Sequence, residues 1–338
     1  MPTVLESLNA ALHRAFAADE RVILLGEDVL DPYGGAFKVT RGLSSQYPER
    51  VHTTPISEAG IVGIGAGMAL RGLRPVVEIM FGDFITLAAD QLINHAAKFH
   101  WMYNGQVSVP LVIRTPMGGR RGYGPTHSQT LEKLFLGVPG MQVLAPSTLG
   151  DPGVLLYNAI LETQEPVLFI ENKLLYLQPV QEATHLAEFT LRSTCSDRTP
   201  PAPGYTLNIA GAPAPTLTLA AYGYMADLAR QALLRLAYEH EIFAELVIPT
   251  RLSPLEPQPF LDSLAQTGHL LTIEEGTLDL GWGSEVLARC SEALGASLHQ
   301  AHRLASRPLP IPASGPLEAA ALPDVEQIIQ AARDLTSG

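Results

Sequence analysis

The sequence predicts an α/β protein: a doubly wound parallel sheet followed by a second, smaller α/β unit. At 338 residues the chain exceeds one typical domain. Short aliphatic and β-branched runs alternate with helical patterns along most of it. These runs are apolar throughout rather than at every second position, the pattern of strands covered by helices on both faces. A stretch rich in Pro, Thr, Ser and Ala, from about Pro179 to Pro215, interrupts the alternation once.

Taken in order, the first strand is Val22 to Leu25. A helix begins at Ser57-Glu58 and continues to Ala69 with glycines at 60, 63, 65 and 67. It carries almost nothing polar after Glu58 and reads as buried all round, its glycines placed where another helix or a flat ligand approaches closely. Pro75 to Ile79 is the next strand, Ala88 to Lys98 a helix, and Leu111 to Ile113 a strand leading into the glycine-rich loop Met117 to Gln129. Gln142 to Leu144 and Pro166 to Ile170 complete the first unit, residues 1–180. Residues 181–215, with Thr199-Pro200-Pro201-Ala202-Pro203 and Gly211-Ala212-Pro213-Ala214-Pro215, read as an interdomain connection. Residues 216–338 then give Thr216 to Ala220, a helix near Ala226 to Tyr238, Ile242 to Ile248 and His269 to Glu274. No repeat recurs at a fixed period.

Composition narrows the function. A formal net charge of −12 argues against nucleic acid or an anionic membrane as partner, because no basic stripe is available to neutralise phosphates. Cys195 and Cys290 are the only cysteines, far apart, which suits a reducing compartment and excludes a disulfide framework or a cysteine-rich zinc site. The residues from Met1 to Leu8 resemble neither a signal nor a transit peptide, and no apolar run reaches spanning length. A cytoplasmic protein is expected.

Glu58 alone admits a plain explanation, in which Ser57 caps the helix and Glu58 complements its dipole. Two further segments change that. One is Glu78 to Phe84 with the helix after it; the other is the loop Gly118-Gly119-Arg120-Arg121-Gly122-Tyr123-Gly124-Pro125-Thr126-His127-Ser128-Gln129. With Leu25-Gly26-Glu27-Asp28 and Phe37 to Leu43, these segments in this order resemble the β subunit of the E1 component of 2-oxo-acid dehydrogenase complexes. Those are thiamine-diphosphate enzymes related to the second half of transketolase, and the resemblance covers nearly the whole chain. It implies that residues 1–180 form a pyrimidine-binding domain and 216–338 a transketolase C-terminal-like domain.

The resemblance also assigns roles. Glu58 matches the residue that shares a proton with N1′ of the aminopyrimidine; a carboxylate suits because it can exchange a proton inside a largely apolar pocket. Phe84 matches the aromatic that stacks on that ring, and Met80 the neighbouring position lining it. Without the resemblance both would be strand-end core residues. His127 matches the histidine beside the reacting carbons, expected to orient the 2-oxo acid and to exchange protons during acyl transfer. Arg120 and Arg121 suit either a substrate or partner carboxylate or plain solvation, and Glu27 either hydrogen bonding or proton relay. A monovalent cation held by main-chain carbonyls near Leu111 and around Ala159 to Glu162 is a further family feature.

Absences matter as well. No Gly-Asp-Gly followed by Asn-Asn is present to hold Mg²⁺ and the diphosphate, so those ligands are expected on a partner α subunit, in an α₂β₂ heterotetramer that serves a lipoyl-bearing E2. Walker-type, GxSxG and HExxH motifs are missing too. Thr53 replaces a usual acidic residue, and Ile248 to Leu255 departs from the family pattern in the region of subunit and E2 contacts. Met80 with Phe84 leans toward a pyruvate-type enzyme. An acetoin dehydrogenase β subunit, a transketolase-like transferase half and a non-catalytic scaffold subunit are the alternatives.

Overall fold

The computed structural model describes residues 1–195 and 197–337. Its first six strands are β1 (Val22–Gly26), β2 (Val51–Thr53), β3 (Arg74–Glu78), β4 (Val112–Met117), β5 (Gln142–Leu144) and β6 (Val167–Asn172). The other seven are β7 (Phe189–Thr194), β8 (Gly204–Ile209), β9 (Leu217–Ala221), β10 (Ala244–Ile248), β11 (Arg251–Ser253), β12 (His269–Thr277) and β13 (Gln300–Ser306).

The first sheet has the order β11-β5-β6-β4-β3-β1-β2. Every pairing among β1 to β6 is parallel, which explains why these strands are apolar at consecutive positions: both faces are covered. Leu24, Val76, Val112 and Val167 point to the helices Val4–Ala18 and Pro152–Glu162. Their neighbours Leu25, Val77, Ile113 and Leu168 point to the opposite core, which includes the helix Glu58–Leu70. Gly65 lets that helix settle on the sheet, since a Cβ there would come within 3.0 Å of Val77 and 3.1 Å of Leu111. The helix is not buried all round, however. Ile64 is 56% exposed, so one apolar stripe faces outward in this chain.

The second sheet runs β13-β12-β9-β10-β8-β7, parallel from β13 to β10 and antiparallel at β8 and β7. Thus residues 181–215, expected as a connection, contribute two strands to this sheet. Polar residues hid them: β7 is an edge strand, with one ladder and largely exposed side chains, so Thr, Arg and Ser are tolerated there. The second departure is β11, which leaves the second unit and pairs antiparallel with β5 at the edge of the first sheet. Trp282 completes the junction, buried in contact with Tyr222 and Phe260 within the same apolar cluster as the first sheet.

Candidate active site

Because β6, β4, β3, β1 and β2 are neighbours and parallel, the segments leaving their carboxyl ends form one row, the usual location of ligands in open α/β sheets. Lys173 follows β6, the glycine-rich loop follows β4, Met80 and the 3-10 turn Gly82–Ala88 follow β3, Glu27 follows β1, and Glu58 opens the helix after β2. A buried ionic strap fixes three of these strand ends. Arg114 on β4 donates to Glu171 on β6 twice at 2.7 Å and to Glu78 on β3 at 2.8 Å, and Tyr176 donates to Glu171 at 2.6 Å.

Glu58 is 5% exposed, and among the described residues its side chain makes no hydrogen bond. Ser57 stands at the N-cap position yet makes no side-chain capping bond, so of the plain explanation only the complement of Glu58 to the helix dipole remains. Glu27 feels Glu58: its carboxyl is pushed above its ordinary range by burial and then by the charge of Glu58. One oxygen of Glu27 is buried without a partner.

The helix Glu58–Leu70 packs on the turn Gly82–Ala88, which carries Phe84. That turn needs glycine at 82, where a Cβ would fall 2.2 Å from Met117. Met80 is half-buried just before it. Phe84 meets His127 edge-on at 5.2 Å between ring centroids, and Phe81 meets the same imidazole at 4.7 Å. Two positions singled out in sequence are therefore brought into direct contact. Glu58 opens the helix that packs on the turn carrying Phe84.

The loop bearing His127 is held by residues the sequence reading did not select. Gln129 donates to Asp83 at 2.9 Å from its side chain and at 3.3 Å from its backbone. From the second unit, Glu275 accepts from the Gly119 N–H at 2.6 Å, while Glu318 accepts from Arg120 N–H at 2.8 Å and Gly122 N–H at 3.0 Å. The Arg120 guanidinium donates to the Pro323 carbonyl, so this side chain braces the domains instead of facing a substrate. Arg121 is exposed beside Tyr123. Lys173 donates to the His127 carbonyl. Asp83 lay inside a motif already singled out, Glu275 followed directly on the expected strand His269 to Glu274, and Lys173 stood directly after a strand; position at a strand end was the available signal.

For thiamine diphosphate the chain offers a half-site: a buried carboxylate with no described hydrogen bond, and an aromatic ring on the turn against which its helix packs. Among the described residues no three His, Cys, Asp or Glu side chains converge as a metal cage. The carbonyl region named for a monovalent cation is partly taken: Arg74, itself buried, donates to Ile160 O at 2.8 Å and Thr163 O at 3.1 Å. A cavity of about 750 Å³ opens elsewhere, between Lys133, Arg198, Leu280 and Arg289, and includes none of these candidate residues.

Residues 1–178 match the transketolase pyrimidine-binding domain family and 209–328 the transketolase C-terminal domain family. The chain is 37% identical over 335 residues to the pyruvate dehydrogenase E1 component subunit beta-1, mitochondrial, of Arabidopsis thaliana, covering 98% of this chain and 88% of that protein. It is 33% identical over 344 residues to the acetoin:2,6-dichlorophenolindophenol oxidoreductase subunit beta of Cupriavidus necator, covering 98% and 96%. A solved split-gene transketolase, described as an inactive beta4 tetramer, superposes with a TM-score of 0.70 at 19% identity, covering 99% and 98%, and supports the fold. No helix among the described residues is long and apolar enough to cross a membrane. With two transketolase domains in series and relatives matched over nearly their full length, the chain belongs to the E1 β subunits of thiamine-diphosphate-dependent 2-oxo-acid dehydrogenases.

Proposed function

We propose that this chain supplies the pyrimidine half of an E1 active site completed by an α subunit, in an α₂β₂ assembly that decarboxylates pyruvate and passes the acyl group to a lipoyl E2. The observation that carries the reading is the buried Glu58, with no described hydrogen bond, opening a helix that packs on the turn carrying Phe84, whose ring in turn meets His127. Thiamine diphosphate, when bound, supplies the nucleophilic carbon and the electron sink for decarboxylation. Glu58 exchanges a proton with N1′, Phe84 and Met80 hold the pyrimidine by contact, and His127 orients the 2-oxo acid and exchanges protons during acyl transfer. The α subunit brings the Mg²⁺ and diphosphate ligands. Outward-facing apolar side chains beside the site, Ile56 at 83% exposed and Leu87 at 60%, support a covering subunit. No step is routed through a monovalent cation, given the place of Arg74. Two unpaired cysteines, Cys195 and Cys290, support a reducing compartment such as the cytoplasm.

Acetoin cleavage is the second reading, favoured by the 96% coverage of the Cupriavidus necator relative. Turnover of acetoin but not pyruvate by the assembled enzyme would select it. The test of the site itself is Glu58→Gln. Folding and assembly are expected to stay nearly intact while hydrogen–deuterium exchange at the cofactor C2 slows, because geometry is kept and the exchangeable proton is lost. Exchange at the wild-type rate would return Glu58 to a dipole-complementing role.

A further inference from the structure

Lys173 is an unusual use of a lysine. Its side chain is 1% exposed, whereas lysines are almost never fully buried unless paired. Its hydrogen bond goes to a neutral acceptor, the backbone carbonyl of His127, at 2.5 Å. Its own backbone N–H donates to Met117 O at 3.1 Å, so one residue holds both the root of the glycine-rich loop and the position of the histidine. The ammonium lies over the faces of Phe81, at 5.3 Å, and Tyr123, at 5.5 Å. Phe81 is the ring against which the imidazole packs. Lys173 therefore touches His127 through its carbonyl and through the ring behind it.

We propose that Lys173 is a positioning residue for His127: its charged amine fixes the loop and the Phe81 ring so that the imidazole is held ready for proton exchange with the substrate. This rests on the reading of His127 given above and deepens it. The charged groups facing the amine are Asp83 on the turn after β3, Glu275 on β12, Glu318 on the helix Gly315–Ala321, which attract it, and Arg121 on the loop, which opposes it. Burial outweighs the three carboxylates and brings the amine down to about 8. The loop is thus braced by a cation at neutral pH and loses that cation in mild alkali. Asp83 also accepts from Gln129, and its other oxygen is buried without a partner. Loss of charge at Lys173 consequently leaves a buried carboxylate less compensated on the side of the loop next to His127.

The experiment uses E1 assembled with its α subunit, thiamine diphosphate and Mg²⁺. Lys173→Met, Lys173→Arg, His127→Ala and the Lys173→Met/His127→Ala double variant are compared with wild type for pyruvate decarboxylation and lipoyl-domain acylation as a function of pH. In Lys173→Met the half-saturating thiamine diphosphate concentration is expected to stay within a few-fold while kcat falls on the order of tenfold to a hundredfold, the size of a sub-ångström to ångström misplacement. Wild type is expected to lose activity above about pH 8. That limb moves upward in Lys173→Arg, whose guanidinium stays charged. The double variant is expected to be no slower than His127→Ala, because the lysine acts through the histidine. Wild-type kcat in Lys173→Met, losses that multiply in the double variant, or an alkaline limb unmoved in Lys173→Arg each overturn the proposal. If Lys173→Met does not assemble, the Lys173→Arg profile decides alone. A fully active His127→Ala brings down the histidine reading and this proposal together; an impaired His127→Ala beside a normal Lys173→Met sinks only the role of Lys173.

Discussion

His127 is held on three sides by different physics. Two aromatic edges confine the ring, Thr126 Oγ1 lies 2.9 Å from Nδ1, and Lys173 fixes the backbone behind it. With Nδ1 beside the hydroxyl, Nε2 is the nitrogen with no described hydrogen bond, and in the proposed role it is the one that would face substrate. Replacing His127 by Ala is expected to slow lipoyl acylation at least as much as dye-coupled decarboxylation, because the dithiolane must accept a proton whereas departing CO₂ need not. Either loss should be of the size of a placed acid–base group, roughly 10²- to 10⁴-fold. Survival of both activities within a few-fold would make His127 an ordinary loop residue and leave Glu58 untouched. Glu58, Met80, Phe84 and His127 could be singled out as candidates because each sits in a short local motif. Lys173 could not: its partners lie in the segment after β3, on β4 and the loop that follows it, and on β12, and only the fold makes them neighbours.

The same limit governs the elements. Strands buried on both faces announced themselves as continuous apolar runs, while the edge strands β7 and β11 escaped because edges can be polar, short or borrowed from another unit, and β8, between β10 and β7, escaped because it lies inside the Pro- and Ala-rich stretch. The helix Trp282–Leu294 shows how a buried acid can anchor an element without any sequence signature. Glu274 on β12 accepts from Trp282 N–H at 2.7 Å and Gly283 N–H at 3.0 Å, occupying the start of the helix. Burial, and next the charge of Glu132, push its carboxyl up to about 7, against the two backbone donors and Arg303. Since the folded value lies above the ordinary carboxyl value of 4.5, the stabilisation from this group is complete below about pH 4.5 and is lost as pH rises through about 7. Melting temperature should therefore decline from pH 5 to pH 8 more steeply in wild type than in Glu274→Gln, whose amide stays neutral and can still accept from the helix. Parallel pH–melting curves would show that Glu274 does not titrate in this range.

At the scale of the whole molecule, the two units are tied together around the site: β11 extends the first sheet, and Glu275 and Glu318 of the second unit cap the loop that carries His127. Glu58 is buried, yet Ile56, Ile64 and Leu87 around it face outward, and the cavity between the domains lies away from them. Buried acid with exposed apolar surroundings is the arrangement of a surface completed by another chain. The purified chain alone is consequently expected neither to bind thiamine diphosphate tightly nor to decarboxylate a 2-oxo acid, since contacts to one ring cannot replace the Mg²⁺-bridged hold on the diphosphate. Titration calorimetry with and without Mg²⁺ is the measurement. Weak, Mg²⁺-indifferent heats that become tight and Mg²⁺-dependent on adding the α subunit are the expected result. Tight, Mg²⁺-dependent binding by the chain alone would mean that its own carboxylates complete the site, and the two-chain reading would have to be abandoned.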